Sequence, residues 1–89
     1  MDKEFLIKPV PNKELQQWAD KGETLYGYFD DIKSIIYIDN TLPQATYDRI
    51  LLHELVHAVL SITGLTNLLK PDLEEAIADA MENLVYFIK

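Results

Sequence analysis

The sequence predicts an α+β fold: a short N-terminal helix, a small antiparallel β-hairpin or sheet, and two longer helices. Three observations carry that expectation. Two runs rich in β-branched and aromatic residues flank a polar turn, a helical stretch runs from Gln44 to a glycine at 64, and a second helical stretch follows Pro71.

The elements follow in order. Residues 5–10 read as a short extended segment that Pro9 confines to a sheet edge. Asn12 can cap a short helix over residues 12–20, with Leu15, Trp18 and Ala19 inward and Gly22 as its stop. Trp18 reads as a core anchor. Residues 24–29 and 34–39 form the two arms of a hairpin around Asp30, Asp31, Ile32 and Lys33. Thr41 offers a capping hydroxyl and Pro43 suits the start of a helix whose apolar positions include Ile50, Leu51, Leu55, Val59 and Ile62. Gly64 ends it. In the last helix Asp72, Glu74 and Glu75 suit the N-terminal dipole. Leu73, Ala76, Ile77, Ala80, Met81 and Leu84 recur at 3–4 spacing, the pattern of a core-facing stripe.

Composition bounds the function. Eighty-nine residues, 48% of them apolar, suit one globular domain, residues 1–89, with a modest core. A net charge of −7 with scattered basic residues argues against direct nucleic-acid binding. No cysteine is present, which removes disulfides and thiolate metal sites and fits a cytoplasmic location. Met1, Asp2, Lys3 and Glu4 make a charged start unlike a secretory signal, and no apolar run has membrane-spanning length.

The chemistry concentrates in His53-Glu54-Leu55-Val56-His57, an H-E-x-x-H motif inside the first long helix. Residues four apart share a helix face, so both imidazoles can reach one Zn²⁺. Glu54, beside the first histidine, can then act as base toward water. These are the only two histidines, so a third ligand must be a carboxylate, and three protein ligands with one open position is the usual catalytic arrangement. Glu74 and Glu75 on the second long helix are the candidates.

Glu75-x-x-x-Asp79 after H-E-x-x-H resembles the gluzincin pattern of thermolysin-like peptidases. That resemblance implies Glu75 as third ligand and Asp79 as the residue that orients His53. The element order is similar to a minimal zincin core, where a free strand edge beside the active-site helix receives an extended peptide. Residues 34–39 are the expected edge strand here.

The segments around Tyr26-Gly27-Tyr28, Ile35-Ile36-Tyr37-Ile38-Asp39-Asn40, Leu51 to Leu60 and Glu74 to Ala80 resemble the ImmA/IrrE family of small metallopeptidases. The resemblance spans roughly residues 26–86. It implies a cytoplasmic zinc endopeptidase with a protein or peptide substrate, since characterised relatives act on helix-turn-helix repressors of phages and mobile elements. Carried over, His53, His57 and Glu75 bind zinc and Glu54 is the catalytic base. Val56 stands where many relatives have glycine, and the later histidine of many relatives is absent. The phenols available as oxyanion donor are Tyr28 or Tyr86, with Tyr47 a further candidate; each reads first as a packing residue, and a partner or second subunit is the other source of a donor. The alternative function is a zinc-bound, non-catalytic module that sequesters a regulator.

Overall fold

Residues 35–39 form an almost unbroken apolar run, the pattern of a strand covered on both faces. The computed structural model, which describes residues 5–88 with side chains through 84, bears this out. Strand β1 (Leu6–Val10), strand β2 (Gly27–Asp30) and strand β3 (Ile35–Asp39) form one sheet in the order β1-β3-β2. On one face of β3, Ile36 and Ile38 are fully buried; on the other, Tyr37 packs with Val10 and Leu15.

Two expectations fail at this sheet. It is mixed, not antiparallel: β2 pairs antiparallel with β3, but β1 pairs parallel with it, Leu6 opposite Ile35 through Val10 opposite Asp39. The strand expected to offer a free edge is also the central one, hydrogen-bonded on both sides. The free edges belong to β1 and β2, and Pro9 sits on β1, where a missing N–H is tolerated.

The hairpin turn is built by Asp30, whose Oδ1 accepts the N–H groups of Ile32 and Lys33, both at 3.0 Å. Ser34 completes the reversal at φ 56°. Helix α1 (Asn12–Leu15) is shorter than expected and passes into a 3₁₀ turn, Gln16–Trp18. Leu15 is fully buried, and Trp18 stacks on Tyr28 and Tyr37, with ring centroids 4.6 and 4.7 Å apart.

Asn12 and Thr41 do not cap helices. Both instead serve Asp39, a carboxylate only 2% exposed at the end of β3. The Thr41 N–H and hydroxyl donate to Oδ1 at 2.8 and 2.6 Å, and the Asn12 amide donates to Oδ2 at 2.8 Å and to the Leu25 carbonyl at 3.0 Å. Burial alone would push the Asp39 carboxyl up, but these donors together hold it below its ordinary range.

Helix α2 (Gln44–Thr63) begins after Pro43 and ends at Gly64, whose φ of 81° is the left-handed stop that glycine permits. One side of α2 lies on the sheet through Ile50, Leu51, Leu55 and Ala58. Helix α3 (Pro71–Ile88) returns beside α2 after a 3₁₀ turn, Leu65–Asn67. Its orientation overturns the stripe expected to form core. Leu73, Ala76, Ala80, Met81 and Leu84 are exposed, and Ile77 is half-buried. The face turned inward is Glu74, Ala78 and Glu82, with Ala78 fully buried. Among the described residues no helix is long and apolar enough to cross a membrane.

Candidate metal centre

Small size at Ala78 lets α3 lie close to α2, and the four-residue period of each helix decides what meets across the gap. From α2 come His53 and His57, their ring centroids 5.1 Å apart. From α3 come Glu74, Glu75, Asp79 and Glu82.

The two Nε2 atoms converge on one carboxylate. His53 Nε2 lies 2.8 Å from Glu75 Oε1, and His57 Nε2 lies 3.5 Å from Glu75 Oε2. One ligand atom from each of these three residues falls within 4.8 Å of the others. Donor atoms held about 2.1 Å from a tetrahedral zinc stand roughly 3.4 Å from one another. The His57–Glu75 separation matches that spacing, while His53 and Glu75 stand at direct-contact distance; the donor set, two imidazoles and a carboxylate, is of a type that zinc accepts. Glu75 is 54% exposed, so the side opposite the helices is open.

The outer nitrogens face acids as well. Glu82 Oε1 is 3.1 Å and Asp79 Oδ1 3.4 Å from His53 Nδ1. Neither is aligned as a hydrogen bond, which leaves His53 Nδ1 a buried polar atom without a hydrogen-bond partner among the described residues. Asp79 thus stands on the side of His53 that the gluzincin resemblance implied, but Glu82 is nearer and more buried. Glu82 also meets Arg49, its Oε2 3.8 Å from Nη1. Glu74, the rival ligand in the sequence, contacts His57 Nδ1 with Oε2 at 2.6 Å, while Thr66 donates to its Oε1 at 2.5 Å. Burial works to raise the Glu74 carboxyl, but Thr66 and His57 hold it low.

Glu54, the residue after His53 on α2, turns toward β2 while still bordering the space beside His57. It is 9% exposed and lies on the same side as Ile50 and Ala58, toward β2. Burial pushes its carboxyl above the ordinary range; the charges of His53 and His57 oppose that shift, and those of Glu75 and Glu82 add to it. Gly27 makes room for this side chain: a Cβ there would stand 2.6 Å from Ile50 Cγ2 and 3.2 Å from Glu54 Cγ. Only a glycine lets the edge strand pass this close.

Glu54 and His57 open onto a cavity of about 340 Å³, bounded also by Glu74, Thr66, Phe29 and Tyr28. The Tyr28 ring nevertheless stacks on Trp18 within the cluster on the α1 side of the sheet. Burial and the neighbouring Asp30 and Asp31 raise its hydroxyl above the ordinary range. Tyr47 packs in the cluster beneath α2. Tyr86 lies outside the described side chains.

Sequence reasoning missed Glu82 and Thr66. For Glu82 a signal existed: Glu74, Ala78 and Glu82 recur every four residues, small between acids, on one helix face. Thr66 sits in a turn, where no periodicity points to it. Comparison with known protein families, with curated proteins and with solved structures gave no match.

Proposed function

We propose that this chain is a zinc-dependent endopeptidase with a zincin-type centre, in which His53, His57 and Glu75 hold the metal and Glu54 is the general base. The observation that carries the reading is the convergence of those three donors beside a buried, cavity-facing glutamate. Zinc held there supplies a Lewis acid that polarises the scissile carbonyl and acidifies water. Glu54 takes a proton from the attacking water as its oxygen bonds to the carbonyl carbon. The same carboxyl then delivers that proton to the amine as the C–N bond breaks. Its burial beside the space that His57 borders supports both roles, since it limits competing bulk water at the carboxyl. With β3 central, the edge strand nearest the cavity is β2, and backbone pairing along it would hold an extended peptide. The likeness to the ImmA/IrrE family supports a cytoplasmic protein substrate, with phage and mobile-element repressors the first class to try.

A specific observation favours a second reading, a zinc-bound module that sequesters a regulator without cutting it. Tyr28 is committed to Trp18, and no other described phenol borders the cavity to receive the oxyanion.

One experiment separates the two. Zinc content is measured on the purified wild type, Glu75→Ala and Glu54→Gln, alongside cleavage of candidate substrates. The peptidase reading expects about one zinc per chain in the wild type and Glu54→Gln, and little in Glu75→Ala. It expects cleavage to fall by roughly 10²–10⁴-fold in Glu54→Gln. Zinc uptake with partner binding unchanged by Glu54→Gln and no cleavage supports sequestration. A wild type that takes up no zinc sinks both.

A further inference from the structure

Glu74 was a candidate ligand, yet its carboxylate is spent elsewhere. Oε2 lies 2.6 Å from His57 Nδ1, and Oε1 accepts the Thr66 hydroxyl at 2.5 Å. An ionised carboxylate only accepts hydrogen bonds, so the proton on this short contact belongs to His57 Nδ1. A neutral imidazole carries one N–H. With it on Nδ1, the lone pair sits on Nε2, the atom that faces Glu75 at 3.5 Å. In that tautomer Nε2 is free to bind a metal ion shared with Glu75.

We propose that Glu74, clamped by Thr66, is a positioning residue that sets the tautomer and ring angle of His57 for zinc, not a ligand. The proposal rests on the zinc site described above. Three features support a fixed orienting role. Both Glu74 oxygens are engaged by separate partners, so the carboxylate cannot rotate without breaking one contact. Its side chain is 17% exposed, against 54% for Glu75, which leaves less solvent to compete. Thr66 also comes from a different element, the 3₁₀ turn Leu65–Asn67 that connects α2 to α3. Through Gly64 at φ 81° the chain reverses and carries Thr66 back to the site. The connection between the helices thereby becomes part of the metal site.

The two histidines differ in this respect. His57 has an aligned acceptor for Nδ1, whereas His53 Nδ1 has two carboxylates nearby and no hydrogen bond. His57 is therefore the imidazole whose orientation is set before metal arrives.

The test is zinc affinity by competition with a fluorescent chelator on folded protein, with circular dichroism confirming helicity. Wild type, Glu74→Ala, Glu74→Gln, Thr66→Val and Glu75→Ala are compared. Loss of an orienting partner weakens zinc by about 10–100-fold, so Glu74→Ala should fall in that range. Glu74→Gln should recover most of the loss, because its amide oxygen can still accept from Nδ1. Thr66→Val should weaken zinc by several-fold and, as the milder change, keeps the proposal testable if Glu74→Ala does not fold. In the zinc-bound wild type, long-range ¹H–¹⁵N NMR should show His57 protonated at Nδ1. Glu74→Ala with wild-type affinity overturns the proposal, and so does Glu74→Gln as weak as Glu75→Ala, which would make Glu74 a ligand. A wild type without zinc affinity overturns the site itself, a different failure.

Discussion

The two sides of α2 are held by opposite physics. Toward the sheet, Ile50, Leu51, Leu55 and Ala58 cover Ile36 and Ile38, and three members of that cluster are fully removed from water. Toward α3, the contacts are imidazole to carboxylate, and Ala78 is the one fully buried apolar side chain that α3 contributes among the described residues. The first interface depends on exclusion of water and has no need of a bound ion. The second gathers four carboxylates of α3 around two histidines and is short of positive charge. A helix can be docked by burial on one side and by charge balance on the other. The fold and the site are then separable.

The largest expected effect tests the sheet side. Ile38 is fully buried, so Ile38→Ala should cost about 2–5 kcal/mol in denaturant unfolding. If the interfaces are independent, that loss should be the same with and without zinc to within about 0.5 kcal/mol. A larger dependence on metal would break the comparison, because it would mean that the site props up the core.

Removal of zinc tests the other side. A ligand that binds only the native state adds about 2.7 kcal/mol when its free concentration is a hundredfold above Kd, and a chelator takes that away. Hydrogen exchange shows where. Protection should fall first along residues 71–84 of α3, while β3 and the sheet-facing turns of α2 keep theirs. Uniform loss across all elements would show that the charged interface is not the weak one.

These two interfaces were unequally legible. The histidines and Glu54 could be placed from sequence because the α-helical period fixes their relation without any tertiary knowledge. The position of Glu75 near both histidines follows the same logic at one remove. The apolar stripe of α3 misled because periodicity reveals that a helix has two faces, not which neighbour each will meet. Here the neighbour presents His53 and His57, so the acidic face turns inward and Leu73, Met81 and Leu84 stay exposed. The parallel pairing of β1 was hidden for a related reason: strand direction depends on how α1 and its 3₁₀ turn carry the chain back, a long-range property. The central position of β3 was written in its unbroken apolar run, although expectation of a free edge ran against it.

Asp39 gives the smallest effect and the sharpest sign. It is a buried charge on the face of β3 turned away from α2, the face of Tyr37 and α1, and it survives there because three donors meet it. In Asp39→Asn the new oxygen can still accept from Thr41, but its NH₂ must face the Asn12 amide, donor against donor. Asn12 cannot simply turn over, since its Oδ1 accepts from Gln16 at 2.8 Å and its Nδ2 donates to the Leu25 carbonyl. The substitution should cost about 1.5–3 kcal/mol at neutral pH, the range of a hydrogen bond to a charged group. Asp39 is held below its ordinary value of 3.8, so its contribution is complete above that value and disappears as pH falls through the lower, folded one. Metal-free wild type and Asp39→Asn should therefore differ most in Tm near neutrality and converge below pH 3.8. A gap that widens on acidification would mean that burial outweighs the three donors, and that this face of the sheet tolerates the carboxylate only when it is protonated.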